Sequence, residues 1–270
     1  MKKLLSLALC ALMIFSAASS VFAAEENVYA IDFESKDLGP APSSVDAYSL
    51  ACTPKDGAIE FVEFDGDKAL FINHPAKEAG YDNFVQLLYN NAQGIAMWGT
   101  KNQFVVEYDV YFNEVCDDMT FHLGRGAGQG ATGTAWIIPA YVKGSDLSVY
   151  VPGIENPVTK LKIKTWHTVS LAYDLDKQVF SVYIDGVNYA KNAAFANEIV
   201  GPLVKYVRLA FNATIKGDCS AYLDNIKVYN ATQPRVIKEA SAPQTADIAV
   251  VLAAVSAIAA SGAIVSKKRK

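Results

Sequence analysis

The stretch that decides the fold runs from Thr165 to Gly186 and reads TWHTVSLAYDLDKQVFSVYIDG. Apolar side chains at positions 169, 171 and 173 alternate with smaller or polar ones at positions 168, 170 and 172. After a polar turn the alternation resumes at positions 180, 182 and 184, and the Asp-Gly pair that follows is a hairpin-turn signal. Alternation with a period of two predicts two half-buried antiparallel strands joined by a tight turn.

The same alternation recurs between residues 25 and 230, and no stretch there has a sustained helical period. The further predicted strands are Ile31–Glu34, Ala58–Phe64, Ala69–Ile72, Phe104–Phe112, Lys205–Phe211 and Tyr222–Tyr229. Strands this numerous, without helices to cross between them, predict an all-β fold, an antiparallel β-sandwich of the jelly-roll kind.

Charge and composition limit the classes of function. Between residues 24 and 245 the chain has 18 Lys and Arg against 27 Asp and Glu, a net charge of −9. This balance excludes a non-specific nucleic-acid binder, which needs a basic face. The 13 Phe, 14 Tyr and 3 Trp supply enough apolar surface for a packed core, which excludes a disordered chain.

The N-terminal end predicts a secretory signal peptide over residues 1–23, in the form of a signal helix that is removed after export. Two lysines precede an apolar run from Leu4 to Phe15, and small residues then lead to Ala23. The mature protein is therefore expected outside the cytoplasm.

The C-terminal end predicts attachment to the cell surface. Residues 231–245 form a polar linker with a sorting motif, and residues 246–270 form a hydrophobic helix with a basic tail. The uncharged part of this helix, Ile248–Val265, is about 27 Å long, which is enough to cross a bilayer core. The cations at the chain end favour the cytoplasmic side, so the sandwich at 24–230 is expected outside the cell.

The order of Pro-x-Thr, apolar segment and basic end resembles a sortase sorting signal of Gram-positive surface proteins. The usual motif is Leu-Pro-x-Thr-Gly, and here Ala242 stands in place of the Leu and Ala246 in place of the Gly. The resemblance implies recognition of Pro243, Gln244, Thr245 and Ala246, cleavage after Thr245, and sortase and a cell-wall peptide as partners. The alternative is a single-pass membrane anchor that is retained, and both alternatives place the domain at the cell surface.

The stretch quoted first resembles the concanavalin A-like lectin/glucanase superfamily, which includes laminin-G-like domains. Members often show a Trp that opens one strand, Tyr-Asp at its end and then a Tyr-x-Asp-Gly hairpin, and these match Trp166, Tyr173-Asp174 and Tyr183–Gly186. The resemblance implies a lectin-like sandwich over residues 24–230, with Trp166 as a core residue of the framework. This superfold hosts lectins, hydrolases, lyases and adhesion modules, so it does not select among them.

A sugar-binding site is predicted from aromatic side chains with polar neighbours. Trp98, Trp136 and Tyr141 offer ring faces on which the C–H groups of a pyranose stack, and Arg125 offers hydrogen-bond donors. The glycine-rich stretch Gly124–Thr134 lets the backbone approach a ligand closely. The alternatives are core packing for the two tryptophans and a flexible hairpin connection for the glycine-rich stretch.

A structural calcium site is predicted from Asp32, Glu34 and Asp224. These three carboxylates come close if the first and last strands pair, and hard oxygen ligands suit Ca²⁺. The superfamily resemblance implies a similar arrangement, in which an early acidic residue and an Asp in the last strand hold calcium. The alternative is that the three are solvated carboxylates on a strand face.

No catalytic residue is assigned from the sequence. Glu107 and Asp109 begin a glycosidase-like pattern, but the next acid, Glu114, is too far along the strand for that arrangement. Tyr141–Gly144 only approaches the segment seen in alginate lyases, and His122 is a candidate general base.

The predicted function is a surface-attached carbohydrate-binding or adhesion module that contacts a glycan or cell-surface polysaccharide. The alternatives are a polysaccharide-active hydrolase or lyase of the same fold and a structural surface protein without a small ligand. Of the four cysteines, Cys10 is expected to leave with the signal peptide, and the three that remain, Cys52, Cys116 and Cys219, are odd in number and lack metal-ligand spacing. They are expected to be small buried hydrophobes with at most one disulfide.

Overall fold

The computed structural model describes residues 27–46, 50–53, 58–76, 84–88, 102–130, 133–196, 204–212 and 216–238. These residues form 18 strands whose pairings are all antiparallel, and no helix occurs within these ranges. The predicted all-β antiparallel fold is therefore confirmed. The predicted signal helix, hydrophobic helix and sorting motif lie outside the described residues, and within those ranges no helix has the length and apolar character needed to cross a membrane.

The strands, in chain order, are β1 Asn27–Ile31, β2 Gly39–Pro40, β3 Ser44–Asp46, β4 Leu50–Thr53, β5 Ile59–Phe64, β6 Asp67–His74, β7 Phe84–Leu88, β8 Gln103–Glu114, β9 Thr120–Gly130, β10 Gly133–Ile137, β11 Tyr141–Lys143, β12 Ser148–Tyr150, β13 Thr159–Lys160, β14 Trp166–Asp174, β15 Val179–Ile184, β16 Val187–Ala194, β17 Val204–Phe211 and β18 Cys219–Tyr229.

Two sheets pack face to face around one apolar core. The first sheet has the order β16-β15-β14-β8-β18-β6-β5-β2, and β1 also pairs with β18. The second sheet has the order β13-β12-β11-β9-β17-β7-β4-β3, and β10 pairs with β9. Phe112 of the first sheet meets Phe121 of the second edge to face, with ring centroids 5.3 Å apart. The two outward faces are therefore the surfaces on which polar side chains are displayed.

The first and last strands pair, as the calcium prediction requires. The predicted strand Ile31–Glu34 is wrong in its position, because β1 ends at Ile31 and the next residues form a turn. Phe33 is the cause: its backbone takes a φ of 65°, and its fully buried ring packs 5.6 Å from the ring of Phe61. Burial of one large aromatic side chain thus ends the strand and turns Glu34 outward.

Two hairpins of the structure end in Asp-Gly turns. Asp185 and Gly186 have φ values of 52° and 80°, and Asp65 and Gly66 have φ values of 58° and 89°. Positive φ at both central residues is the mark of the type I′ turn, whose twist matches that of the flanking strands. The first turn joins β15 to β16 and confirms the Asp-Gly turn predicted from the sequence, and the second joins β5 to β6.

Beyond β18 the chain stays packed on the outer face of the first sheet. The guanidinium of Arg235 lies 4.2 Å from the centre of the Tyr229 ring, and its backbone amide donates to the Tyr229 hydroxyl at 3.3 Å. Pro234 is buried, and the compact unit ends at Ile237.

Candidate functional site

A β-bulge in β9 is the feature from which the candidate site is built. Against β17, Arg125 pairs with Arg208 and His122 pairs with Ala210, so three steps along β9 match two along β17. In a regular strand, residues three apart point to opposite faces. Here the extra residue lets Leu123 and Gly124 both turn into the core, and His122 and Arg125 both face outward.

Two buried tyrosines of the first sheet hold this bulge. The Tyr108 hydroxyl donates to the carbonyl of Leu123 at 2.6 Å, and the Tyr173 hydroxyl donates to the carbonyl of Gly124 at 3.0 Å. Burial raises the pKa of both phenols above the ordinary value, so both remain hydrogen-bond donors. Since a bulge leaves backbone groups without ladder partners, these bonds stabilise the irregular backbone from below.

The glycine-rich stretch is not the flexible hairpin connection weighed from the sequence, because Gly124–Gly130 lie in β9 and Gly133–Ile137 form β10. At Gly124 the structure shows why glycine is required. A Cβ atom there would lie 2.2 Å from Cδ1 of Leu171 and 2.8 Å from the Tyr173 hydroxyl. The absence of a side chain is thus needed for packing between the sheets.

The outer face of the second sheet carries a row of polar and aromatic side chains on adjacent strands. Tyr141 pairs with His122 on one side and with Tyr150 on the other. The two tyrosine rings stack at 5.5 Å with an angle of 12° between their planes, and the His122 ring lies 6.4 Å from that of Tyr141. These rings, and the side chains of Arg125 and Arg208, are half-buried. We call the five residues the sheet-two face.

The structure brings together two of the four predicted sugar-binding residues. Tyr141 and Arg125 both lie on the sheet-two face. The backbone of Trp136 lies in β10 opposite Ala127, and Trp98 lies outside the described residues. Sequence reasoning missed Arg208, although its alternation with the buried residues 207 and 209 is a signal that it faces outward.

The other two histidines, His74 and His167, are buried. His167 is buried, accepts from the Lys162 amide at 2.9 Å, and contacts Asp185 at 2.8 Å. His74 is buried too, and its Nδ1 donates to the carbonyl of Pro75 at 2.9 Å. Of the three histidines in the sequence, all of them described, His122 is therefore the one displayed on the outward face of a sheet.

Glu107 and Asp109 lie on the outer face of the first sheet, where hydroxyl and amide groups donate to them. Glu107 accepts from Ser170 and Tyr229, both at 3.0 Å. Asp109 accepts from Thr168 at 2.6 Å and from the Asn225 side chain at 3.0 Å. These bonds tie β8 to β14 and β18.

A second candidate surface is an aromatic cluster on the same outer face. It consists of Phe64, Phe71, Tyr111, Trp166 and Tyr222, and we call it the sheet-one aromatic cluster. Phe64 stacks on Tyr222 with centroids 3.8 Å apart, and the rings of Tyr111 and Trp166 are 5.5 Å apart. All five side chains are half-buried. The assignment of Trp166 to the core is therefore wrong: it shares its face with Thr168 and Ser170, as their even spacing along β14 requires.

A cavity of about 210 Å³ opens beside this cluster, with an aromatic wall and an acidic wall. The aromatic wall comes from Phe64 and Trp166, and the acidic wall includes Asp67, Asp109 and Asp224. Burial raises the pKa of Asp224 to about 6, and the nearby carboxylates add to the effect.

Of the three residues of the calcium prediction, Asp224 lines this acidic wall, and Asp32 and Glu34 are linked to it through the charges of neighbouring carboxylates. The pKa of Glu34 is raised, first by a hydrogen bond with Asp67 and then by the charges of Asp67 and Asp32. The charge of Glu34 also acts on Asp224. Across the part of the chain that the structure describes, no three carboxylate, histidine or cysteine side chains are arranged to hold a metal ion. The structure thus brings the carboxylates near one another and adds Asp67 and Asp109 to those predicted.

No protein-family model matches this chain, and no curated protein is similar to it in sequence. Among solved structures, the chain is similar to an endo-β-1,4-glucuronan lyase from the fungus Trichoderma reesei, with 11% identity, a TM-score of 0.49, and coverage of 78% of this chain and 99% of that one. It is similar to the alginate lyase vAL-1 from Chlorella virus, with 13% identity, a TM-score of 0.48, and coverage of 68% and 93%. It is also similar to the cellulose induced protein Cip1, with 12% identity, a TM-score of 0.49, and coverage of 75% and 97%. Similarity of this degree transfers no activity to the chain.

Proposed function

We propose that the chain acts on an acidic polysaccharide that lies across the sheet-two face. The observation that carries this proposal is the position of Arg125 opposite Arg208 on adjacent strands, in a region whose net charge is −9. Two arginines paired across adjacent strands, in a region of net negative charge, suit a carboxylate, which guanidinium groups hold by paired, charge-assisted hydrogen bonds. Sugars with a ring carboxylate, the uronates, fit this requirement.

The same face offers the groups that β-elimination of a uronate chain needs. Arg125 neutralises the carboxylate, which makes the neighbouring C5–H more acidic. His122 removes that proton, and the Tyr141 hydroxyl donates a proton to the glycosidic oxygen as the C4–O4 bond breaks. The product carries a double bond between C4 and C5, and each positioned acid or base contributes about 10²–10⁴-fold to the rate. The β9 bulge supports this assignment because it keeps His122 and Arg125 on one face.

The test incubates the full chain with homopolymers of glucuronate and of mannuronate, and with a neutral glucan of equal length. Elimination is expected to produce the ultraviolet absorbance of an unsaturated uronate. Binding without elimination is expected to slow the protein in affinity electrophoresis and to produce no such absorbance. Arg125→Ala is expected to weaken binding about tenfold or more, and Tyr141→Phe to remove product while binding persists. Arg235→Ala, on the other sheet, is the matched control. If the chain neither binds nor cleaves either of the two polyuronates, the proposal is rejected.

A second candidate function is the binding of a neutral glycan on the sheet-one aromatic cluster. Five partly exposed aromatic rings beside carboxylate acceptors suit a pyranose, whose C–H groups stack on the ring faces while its hydroxyls donate hydrogen bonds. Binding of a neutral glucan that is lost in Trp166→Ala and kept in Arg125→Ala would assign it to this surface. A Trp166→Ala variant that binds every glucan as the wild type does would exclude it.

We further propose that Ca²⁺ occupies the acidic wall near Asp32, Glu34 and Asp224. Hard oxygen ligands of this kind are what Ca²⁺ prefers, and a divalent cation offsets the carboxylate repulsion that adds to the effect of burial on the pKa of Asp224. Bound calcium stabilises the folded state by mass action. Melting temperature is therefore expected to rise with millimolar calcium and fall with chelator in the wild type, and to be insensitive in Asp224→Ala. Glu155→Gln, in an exposed loop, is the control that keeps the response.

Surface attachment remains a proposal that rests on the sequence of the C-terminal end. Sortase cleavage predicts that protein released from digested cell wall ends at Thr245, and that Thr245→Ala moves it to the membrane fraction. A retained anchor predicts intact Lys270 in detergent extracts, with no effect of substituting Thr245. Full-length chain found only in membranes of a sortase-competent host would reject wall linkage.

A further inference from the structure

Two cysteines from distant parts of the sequence meet at one end of the sandwich. Cys116 lies in the loop between β8 and β9, and Cys219 opens β18, 103 residues later. Their sulfur atoms are 3.0 Å apart with both residues as free thiols. A shift of about 1 Å therefore separates the two thiols from the bonding distance of a disulfide.

The backbone around the two sulfurs is arranged for this close approach. The carboxylate of Asp118 accepts from the Lys216 amide at 3.0 and 2.9 Å, which fixes the loop before β18 onto the loop after β8. Gly217 lies directly against Cys116, and a Cβ atom there would be 2.8 Å from the Cys116 Cβ. The loops are thus held together by bonds that do not involve sulfur, so oxidation needs little rearrangement.

The third cysteine of the described region is separate from this pair. Cys52 lies in β4 of the second sheet, it is 1% exposed, and burial raises the pKa of its thiol to about 12. Burial raises the pKa of the Cys219 thiol as well, so position and not acidity separates the three cysteines: the sulfurs of Cys116 and Cys219 are in contact, whereas Cys52 pairs with Val85 in the second sheet. Cys52 is therefore the cysteine without a disulfide partner, and Cys116 and Cys219 are the candidate pair that the sequence alone did not identify.

We propose that Cys116 and Cys219 form a disulfide when the protein is outside the reducing cytoplasm. With oxidised glutathione as the oxidant, the half-buried Cys116 first forms a mixed disulfide and releases one glutathione. The sulfur of Cys219 then displaces the second glutathione, so the two thiols lose two electrons and two protons and two glutathione thiols are formed. The bond closes a loop of about 100 residues, which is long enough for a large stabilising effect.

The Cys116–Cys219 pair lies near the turn that follows β11, one of the strands of the sheet-two face. The amide of Gly144, which follows β11, donates to the carbonyl of Met119 in the cysteine-bearing loop at 2.9 Å. The same loop leads into β9 and its His122. The disulfide thus fastens the β8–β9 loop near the ends of β9 and β11, which are two of the strands that carry this face, and it does not depend on what the face binds.

The test treats the full chain with oxidised glutathione, alkylates the remaining thiols under denaturing conditions and digests it without reductant. One cross-linked peptide pair containing Cys116 and Cys219 is expected, with Cys52 recovered alkylated. Cys52→Ser should keep the link. Separate alkylation of Cys52, Cys116 and Cys219, or a link that includes Cys52, would overturn the proposal.

A second measurement is thermal melting with and without reductant. The oxidised wild type is expected to melt about 10 °C above its reduced form, whereas Cys116→Ser/Cys219→Ser should not respond to reductant. A wild type whose melting ignores reductant after oxidation contradicts the proposal. If the double variant fails to fold, the peptide map of the wild type decides by itself.

Discussion

Substitution of Gly124 by Ala tests the β9 bulge, because the sign of its effect depends on which way residue 124 faces. With the bulge, the new Cβ lies 2.2 Å from Cδ1 of Leu171, a fully buried side chain. Overpacking of this kind costs about 1–3 kcal/mol. Displacement of the Tyr173 hydroxyl from the Gly124 carbonyl leaves a buried group without its partner and adds about 1–3 kcal/mol.

The free energy of unfolding of Gly124→Ala is therefore expected to fall by about 3 kcal/mol, and the melting temperature by about 6–12 °C for a domain of this size. The assay is urea unfolding followed by tryptophan fluorescence, with the m-value as a check that the unfolded state is unchanged. Leu171→Val removes the clashing Cδ1, so the double variant should lose less than the two single losses combined. In a regular strand residue 124 would face solvent, where Ala is favoured over Gly by about 0.5–1 kcal/mol. A Gly124→Ala variant as stable as the wild type, or more stable, would refute the bulge.

Three further outcomes are expected. Tyr173→Phe should lower the free energy of unfolding by about 1–3 kcal/mol, because the Gly124 carbonyl loses its donor, and should also weaken polyuronate binding by the sheet-two face; unchanged stability and binding would contradict this role. In the presence of chelator, the free energy of unfolding of the wild type should fall as the pH rises through about 6, because folded Asp224 keeps a proton that the unfolded chain releases near pH 3.8. Asp224→Asn should flatten this part of the stability curve. Identical curves for the two proteins would argue against a raised pKa of Asp224. Gly66→Ala should destabilise by about 1 kcal/mol, because φ is 89° there, and Gly66→Asn by less; equal melting temperatures for the two would count against a type I′ turn.

Much of the fold follows from local sequence because alternation and turn chemistry act over a few residues. The strands β14 and β15 and the Asp185-Gly186 turn are predicted correctly for that reason. The bulge in β9 is not predictable in this way. From the sequence Gly124 is expected in a loop, and only the packing of Leu171 and Tyr173 from the other sheet shows that it faces the core.

The candidate sites were predicted in part, and the limits are again physical. Tyr141 and Arg125 were named, but their partner Arg208 lies 83 positions after Arg125, and only the register of β9 with β17 brings the two together. Asp109 joins the acidic wall because β8 pairs with β18 opposite Asp224. The position of Trp166 was open to prediction, since it has the same parity as the polar residues of β14, but the superfamily resemblance favoured the core.

Both candidate surfaces lie where a strand departs from regular pairing. In β18 the register against β8 shifts between Asp224 and Lys227, and Asn225 takes a φ of 52°. As a result Asp224 and its neighbour Asn225 both line the outward cavity, where Asn225 donates to Asp109. A regular strand displays every second side chain, so two consecutive groups, or two groups three apart, reach one face only through such an irregularity.

The chain therefore uses the same device twice, with opposite charge. The β9 bulge displays Arg125 and His122 on the second sheet, and the β18 bulge displays carboxylates on the first. One sandwich thus offers a cationic face suited to uronates and an acidic, aromatic face suited to neutral sugars or a cation. If both proposals hold, Arg125→Ala and Trp166→Ala must each remove one class of ligand and leave the other, which a single shared binding site does not allow.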